Sequence, residues 1–530
     1  MAEFDVVIHG GRLIDGTGNP WFYGDVAIKD GKIGSIGRIN SDAGQRAIAA
    51  NGYVVAPGFI DMHTHSDQPI VADGNAESKV RQGVTLDIIG ESQTVAPLEG
   101  AILEEYRAEH RKRNGIETDW TTFTGYFDTV MRGGTSINVA SGVSPQQIKR
   151  VVCGFEERPA SSAEQEKMNQ LVARAMREGA LGLTAAWHAK GPENPGEVVE
   201  MAKVAKRYGG YYGVHVGSEG FDIFEELAKT LRIARESQIP IHIYHLKMRA
   251  KANWGRIREV VEQIEEARRE GLDITANQYP YTAMQHPWRR LFPRWVQDGP
   301  VNETIANFKN PSFRERVMKD PEFGQYVDEH GGWEGVVAAR LDAEPLKKFE
   351  GMTIAQIARI REQDPASACF DLIYEEGAFI HGVHHTMNED DVKAVMRVPW
   401  VSIGSDGSAL NLKYPGKPHP RSFGTNPRVL GKYTRDERVL TLEDAVRKMT
   451  SMPAQVLGLK DRGLLREGYW GDVVVFDPDT VADTATYDNP KQFPKGIPYV
   501  LVNGSVVVDN GHHTGARPGR IVHGPGYAGQ

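Results

Sequence analysis

Short apolar runs separated by glycine turns occupy both ends of the chain. They are FDVVIHGG, GDVAIKDGKIGSIG and GYVVAPG near the start, and GDVVVFDP (471–478) and YVLVNGSVVVDNG (499–511) near the end. Such runs predict β-strands joined by tight turns. Each end alone would leave apolar strand faces exposed. We therefore expect both ends, residues 1–56 and 460–530, to build one small β-sandwich domain.

The middle of the chain, residues 57–459, alternates strand-like runs with helical patterns. Helical periodicity is clear at 221–237 and 254–271, and the strands around these segments are spaced by about 30 residues, the size of one βαβ unit. Eight strand-like runs occur, at residues 58–65, 83–91, 135–141, 180–187, 211–217, 241–247, 272–279 and 400–406. They predict an α/β fold, a (β/α)₈ TIM-like barrel. Residues 285–398 exceed an ordinary connection, which indicates an insertion after the seventh strand.

Composition narrows the class of protein. A net charge of −8 and the lack of a long basic run argue against a nucleic-acid partner. The opening MAEFDVVIHGG has no signal-peptide pattern, and no apolar run is long enough to span a membrane. The only two cysteines, Cys153 and Cys369, imply no disulfide framework. We expect a cytoplasmic protein without a membrane partner. The sequence is compatible with either a monomer or a homo-oligomer.

Metal-ligand residues recur where the predicted strands end. His63 and His65 stand one residue apart in GFIDMHTHSD (58–67), and in an extended strand such residues share a face. In a barrel of this kind, functional side chains gather at the carboxyl ends of the strands. Further candidates follow strands two, five, six and eight: Glu91, His215, His245 and Asp406. Imidazoles and carboxylates without thiolate suit zinc best, with manganese, cobalt and iron as alternatives.

The order of these residues resembles the amidohydrolase superfamily, and within it the N-acyl-D-amino-acid deacylase (D-aminoacylase) family. Similar motifs run in the same order from about residue 50 to the C-terminus. They are PGFIDMHTH, GALGLT (179–184), ANWGR (252–256), YPYTA (279–283), IGSDG (403–407), HPRSFGTNPRVLGKY (419–433) and MTSMPAQVLGLKDRGLLREGYWGDVVVFDPDTVAD (449–483).

The resemblance implies a metal-dependent hydrolase that removes the acyl group from an N-acyl amino acid, of the D configuration in this family. A metal-bound hydroxide would attack the amide, and Asp406 would serve as general base and then acid. Capping of the turn after strand eight is the competing role for Asp406. Lys247, Arg421 and Tyr281 match positions that bind the substrate's carboxylate or scissile carbonyl. A surface salt bridge is the alternative for Lys247 and Arg421.

Departures from the family pattern concern the metal and the substrate. Many members have Gly-Asn-Cys-Gly after strand two, with a metal-binding cysteine, where this chain has GESQ (90–93). We expect Glu91 to bridge two ions in place of that thiolate, while a single ion with Glu91 bound only to a ligating histidine is the alternative. Gly217 replaces the arginine of a His-x-Arg motif, and Ala189 stands where a tyrosine is common.

These departures keep other hypotheses open. A hydrolase of the same fold could act on another amide, an aryl amide, a cyclic amide or a lactone. A non-catalytic scaffold is the remote alternative, since all six candidate ligands are retained. The aromatic and basic segment 284–295 fits a pocket mouth, an oligomer contact or a packed helix start equally well. The histidines of HGVHH (381–385) fit no ligand position, and we assign them surface or structural roles.

Overall fold

The computed structural model describes residues 2–156, 158–187 and 194–529, and Ala189 lies outside these ranges. The strands are β1 (Phe4–Leu13), β2 (Phe22–Lys29), β3 (Lys32–Gly37), β4 (Gly44–Ala49), β5 (Val54–Pro57), β6 (Phe59–Asp61), β7 (Val84–Ile89), β8 (Asn138–Ser141), β9 (Gly182–Ala186), β10 (Tyr211–His215), β11 (Ile241–Ile243), β12 (Ile274–Gln278), β13 (Ala283–Pro287), β14 (Val336–Arg340), β15 (His381–His385), β16 (Val401–Ile403), β17 (Val473–Phe476), β18 (Tyr499–Val502), β19 (Ser505–Asp509) and β20 (His512–His513).

The helices are α1 (Asp67–Ala72), α2 (Glu77–Val80), α3 (Gly100–Asn114), α4 (Phe123–Gly133), α5 (Pro145–Cys153), α6 (Ser162–Arg177), α7 (Pro195–Arg207), α8 (Ile223–Ser237), α9 (Ile257–Arg269), α10 (Arg294–Asp298), α11 (Val301–Asn307), α12 (Pro311–Lys319), α13 (Pro321–Glu329), α14 (Ile354–Ile360), α15 (Pro365–Glu376), α16 (Glu389–Met396), α17 (Arg421–Arg428), α18 (Leu442–Met449) and α19 (Ser451–Val456). A π-helical segment, Val429–Asp436, continues α17. Among the described residues, none of these helices combines the length and the apolar character needed to cross a bilayer.

A ring of eight parallel strands forms the centre of the molecule. Strands β6, β7 and β8 make one parallel sheet, and β9, β10, β11, β12 and β16 make another. Parallel bridges between Thr64 and Gly407 and between Val143 and Leu183 close the two sheets into one ring. Helices cover its outside, so strands such as Val84–Ile89 are buried along their whole length and are mostly apolar, with Thr85 and Asp87 as the polar exceptions. The predicted mixed α/β class is confirmed.

A sheet of nine strands contains both ends of the chain. Its order is β3-β2-β1-β5-β17-β18-β19-β20, and β4 also pairs with β1. The two ends meet where β5 lies antiparallel to β17, with Val473 opposite Pro57. Apolar side chains on both faces of this sheet are buried, which is why neither end would be stable without the other.

The long segment after β12 has a hydrophobic core of its own. Strands β13, β15 and β14 form an antiparallel sheet, and helices α10 to α15 pack around it. Trp288 and Phe292, from the aromatic and basic segment 284–295, lie fully buried in this core. By contrast, α16 packs against α9 of the ring, although the predicted insertion included it. The inserted layer therefore ends before α16.

Candidate metal centre

Glu91 lies between the two histidine pairs that follow strands of the ring. Its Oε2 is 2.6 Å from His63 Nε2 and 3.2 Å from His65 Nε2. Its Oε1 is 2.8 Å from His215 Nδ1. The His215 and His245 rings are in turn 4.3 Å apart, centre to centre. One carboxylate thus reaches three imidazoles, and each of its oxygens serves a different pair.

Asp406 faces the same group of side chains from the end of β16, the strand that lies next to β6 in the ring. Its Oδ1 is 3.0 Å from His65 Nε2 and 3.9 Å from His63 Nε2, and its Oδ2 is 3.9 Å from His245 Nε2. All six side chains that the sequence analysis named as ligands therefore meet at one rim. The possible ligand atoms form two groups, and within each group they lie within 4.8 Å of one another. One group is His63, Glu91, His245 and Asp406, and the other is His215, Glu219 and His245.

The backbone around the centre adopts conformations that L-residues rarely take. The strands end earlier than the sequence predicted, at Ile243 and Ile403, so His245 and Asp406 lie just beyond them with φ of 37° and 51°. The amide of His245 donates to Asn277 Oδ1 (2.8 Å), and the amide of Asp406 donates to the carbonyl of His63 (2.8 Å). Such left-handed residues cluster at functional sites, where surrounding contacts hold them.

A buried lysine, which the sequence analysis missed, supports the centre from below. Lys79 Nζ donates to Asp61 Oδ2 (2.9 Å) and Ser405 Oγ (2.8 Å), and it lies 4.0 Å from Asp87 Oδ2. Asp61 Oδ1 accepts from the amide of Ser405 (2.8 Å). Asp61 precedes the two histidines and Ser405 precedes Asp406. This network therefore ties together the two chain segments that carry those ligands.

The electrostatics of the centre suit a bound cation. Burial alone would raise the pKa of Glu91, but the charges of His63 and His215 hold it well below its usual range. Burial would also raise the pKa of Asp406. The charges of Arg421, His63 and His245 nonetheless keep this pKa well below its usual range. Desolvation would lower the pKa of His65, yet its hydrogen bonds to Asp406 and Glu91 raise it to about 10. Two ionised carboxylates among imidazoles are a donor set that fits a divalent ion such as zinc.

Two of the three predicted substrate residues, Lys247 and Arg421, lie in ion pairs whose side chains are at most 10% exposed. Lys247 Nζ donates to Glu219 Oε1, and Arg421 Nη1 donates to Asp406 Oδ2 (2.6 Å). Tyr281 is buried beside the Arg428 guanidinium, and none of the described residues forms a hydrogen bond with its hydroxyl. The surface salt bridge that competed with the binding role of Lys247 and Arg421 does not describe this geometry.

Tyr279 and Glu219, which are outside the predicted set, also lie close to the centre. Tyr279 has its ring 6.1 Å from that of His245, with the cations of Lys247 and Arg421 at 5.3 and 5.0 Å from its centre. Its hydroxyl is buried and has no hydrogen-bond partner within the part of the chain that the structure describes. Glu219 Oε1 lies 2.9 Å from His245 Nδ1. Tyr279 belongs to the YPYTA motif that supplied Tyr281, so the motif itself contained the signal.

Comparison with known proteins bears on this geometry. A profile described as the amidohydrolase family matches residues 46–508. The chain belongs to this family. A D-aminoacylase of Alcaligenes xylosoxydans xylosoxydans is 33% identical, over 98% of this chain and 97% of the relative. The predicted resemblance to the N-acyl-D-amino-acid deacylases is thereby confirmed.

Two solved structures are also similar to this chain over nearly its whole length. One is an N-acyl-D-glutamate deacylase from Bordetella bronchiseptica, complexed with zinc and a phosphonate inhibitor that mimics the tetrahedral intermediate. It is 29% identical, with a TM-score of 0.82 over 98% of this chain and 100% of that one. The other is a D-aminoacylase structure concerned with the role of its binuclear metal centre, 29% identical, with a TM-score of 0.80 over 98% of this chain and 99% of that one.

Proposed function

We propose that this protein is a metal-dependent amide hydrolase that removes the acyl group from an N-acyl-D-amino acid. The observation that carries the proposal is the convergence of His63, His65, Glu91, His215, His245 and Asp406 at one rim of the ring. The chain is similar to a D-aminoacylase and to an N-acyl-D-glutamate deacylase, and both names describe this kind of activity.

The six residues would hold one or two divalent ions, two favoured, and zinc is the first choice. A divalent ion there would lower the pKa of water and polarise the amide carbonyl. Glu91 would bridge the ions because its two oxygens already face different histidines. The related D-aminoacylase has a binuclear metal centre, which supports room for two ions, and in that protein one metal activates and a second attenuates.

Asp406 would move the proton from the attacking water to the leaving nitrogen. It suits this task because it is ionised at neutral pH and lies beside His65 and His245. Arg421 and Lys247 would bind the substrate's carboxylate, exchanging part of their present ion pairs for it. Both guanidinium and ammonium are buried next to the centre, where a charge-assisted contact is strong.

A tyrosine hydroxyl would hydrogen-bond the scissile carbonyl. Over residues 2–156, 158–187 and 194–529, the buried hydroxyls of Tyr281 and Tyr279 have no hydrogen-bond partner, and the Tyr279 ring contacts that of His245. The two single variants, Tyr279→Phe and Tyr281→Phe, separate the roles because each removes one hydroxyl and leaves the ring. The hydroxyl that contacts substrate should lower kcat/KM on removal, and the other should leave it near that of the parent.

The second candidate function is hydrolysis of an amide or lactone of another class. The surroundings of Gly217 favour considering it. A Cβ built there would lie 2.3 Å from Glu226 Oε2, so a side chain at the position where the family often has an arginine would require the Glu226 carboxylate to move. A cavity of about 290 Å³ opens beside it, lined in part by Trp187, Arg249 and Arg290. A substrate whose shape differs from that of the usual N-acyl amino acid could use this space.

We also propose the finer structural assignments. The ring is a (β/α)₈ barrel of residues 57–459, with an insertion that begins near residue 285 and ends before α16, and residues 1–56 with 460–530 form a separate sandwich domain. A cytoplasmic location fits Cys153 and Cys369, which are both buried and unbridged.

A substrate panel on metal-replete enzyme tests the function. N-acetyl-D-amino acids should be hydrolysed, their L enantiomers far more slowly, and a strong chelator should abolish turnover until zinc, cobalt or manganese is returned. Hydrolysis of simple aryl amides or lactones, with none of N-acyl-D-amino acids, would favour the second candidate. Full activity in protein shown to be metal-free would refute the metal-dependent reaction.

A further inference from the structure

Glu219 lies in the loop after β10, at a point where a hydrogen-bond acceptor and a hydrogen-bond donor compete for the same atom of a candidate ligand. His245 turns its Nε2 toward Asp406 (3.9 Å to Oδ2) and its Nδ1 away from the centre. Two groups approach Nδ1: Glu219 Oε1 at 2.9 Å and Lys247 Nζ at 2.7 Å. Lys247 also donates to Glu219 itself and to the carbonyl of His245 (3.2 Å).

Glu219 and Lys247 each form a hydrogen bond with Nδ1 only in opposite tautomers of His245. A carboxylate only accepts, so Glu219 requires a proton on Nδ1 and leaves the Nε2 lone pair free for the centre. An ammonium only donates, so Lys247 requires the lone pair on Nδ1 and forces the proton onto Nε2, where a metal must bind. The side chain that wins the contact with Nδ1 therefore decides whether His245 can be a ligand.

We propose that Glu219 is a positioning residue that holds His245 in the metal-binding tautomer and draws the Lys247 ammonium away from Nδ1. The inference rests on the proposed metal-dependent function and adds to it an assignment that connects the substrate-binding cation to a ligand. Glu219 is buried and its backbone carbonyl accepts from the amide of Arg249 (2.8 Å), so the loop holds its carboxylate in place. Carboxylates that receive the second ring proton of a ligating histidine typically improve metal affinity by about 10–100-fold.

The alternative role for Glu219 is direct ligation. Its carboxylate, His215 and His245 offer donor atoms within 4.8 Å of one another, which is close enough to share an ion. The two roles differ in what Lys247 does when the carboxylate is removed. If Glu219 is a ligand, loss of Lys247 cannot restore its contribution. If Glu219 controls the tautomer, removing the competing ammonium frees His245 again.

The test measures zinc dissociation constants by competition with a chromophoric chelator for four proteins: the parent, Glu219→Met, Lys247→Met and the double variant. Methionine keeps the length of both side chains and removes hydrogen bonding. We expect Glu219→Met to weaken zinc binding about 10–100-fold. Lys247→Met should leave affinity within a few-fold of the parent, and in the Glu219→Met background it should recover most of the loss.

Three results would overturn the proposal: unchanged affinity in Glu219→Met, a double variant as weak as Glu219→Met alone, or a large loss in Lys247→Met. Should Glu219→Met not fold, Glu219→Gln is measured in its place. Its carbonyl still accepts from Nδ1, so affinity should fall less than 10-fold, and a loss as large as that of a ligand variant such as His245→Ala would contradict tautomer control. A parent protein that binds no zinc would refute the proposed function itself, which is a different outcome from any of these.

Discussion

Replacement of Lys79 by methionine tests whether the buried network beneath the centre stabilises the ring. The Lys79 side chain is 0% exposed, and its carboxylate neighbours Asp61 and Asp87 are 2% and 0% exposed. Lys79→Met keeps the chain length but leaves both carboxylates without a cation. Removing one partner of a buried ion pair costs about 3–5 kcal/mol, and the lost hydrogen bond to Ser405 adds about 1 kcal/mol.

Urea unfolding followed by tryptophan fluorescence would measure this loss in the free energy of unfolding. Lys203→Met is the matched control, because Lys203 pairs with Glu200 at the surface (2.7 Å) and such pairs contribute about 0–1 kcal/mol. Adding Asp61→Asn to Lys79→Met should recover part of the loss, since one unpaired charge disappears. A Lys79→Met protein within about 1 kcal/mol of the parent would refute the claim that this lysine compensates the buried carboxylates.

Further variants test the proposed roles one by one. Asp406→Asn should lower kcat by about 10²–10⁴-fold with the fold intact by circular dichroism, and near-normal turnover would exclude it as the proton carrier. Lys247→Met or Arg421→Met should each cost about 1.5–3 kcal/mol in kcat/KM for substrates with a carboxylate and much less for neutral amides; equal losses would show that neither cation binds the carboxylate. Arg462→Met should cost about 3–5 kcal/mol of unfolding free energy, because Asp472 would stay buried without its partner, and an unchanged urea midpoint would contradict this.

The ring strands could be located from sequence because a buried strand requires a run of mainly apolar residues. Both faces of a parallel strand in this layer are covered, so Val84–Ile89 appears as a mostly apolar run between turn signals, interrupted by Thr85 and Asp87. Ligand-type residues directly after such runs were predictable for the same reason, since parallel strands bring their carboxyl ends to one rim. The exact strand ends were not predictable, because the left-handed turns at His245 and Asp406 depend on contacts from distant segments.

The supporting side chains could not be found in this way. Lys79 sits in a short helix, and its sequence neighbours give no sign that it is buried beneath Asp61. Glu219 looks like an ordinary loop carboxylate until the fold brings it to His245. Pairing of buried polar groups depends on tertiary neighbours, and the local hydrophobic pattern contains no information about them.

The choice between the hypotheses for segment 284–295 also needed the fold. Its aromatic residues fit a pocket mouth, an oligomer contact or a packed helix start equally well from sequence. Trp288 and Phe292 are buried in the core of the inserted layer, which agrees with a packing role for the apolar part. Arg290 instead lines the cavity beside Gly217, so the basic part of the same segment faces a different environment.

The central claim is that Glu91 joins two metal ions at this centre in place of a cysteine thiolate. Anomalous X-ray scattering at the zinc edge, on crystals of metal-replete protein, tests it most directly. Two ions about 3.5–4 Å apart are expected, with one Glu91 oxygen on each, His63, His65 and Asp406 around one ion and His215 with His245 around the other. A single fully occupied ion with the Glu91 carboxylate turned away from it would contradict the claim.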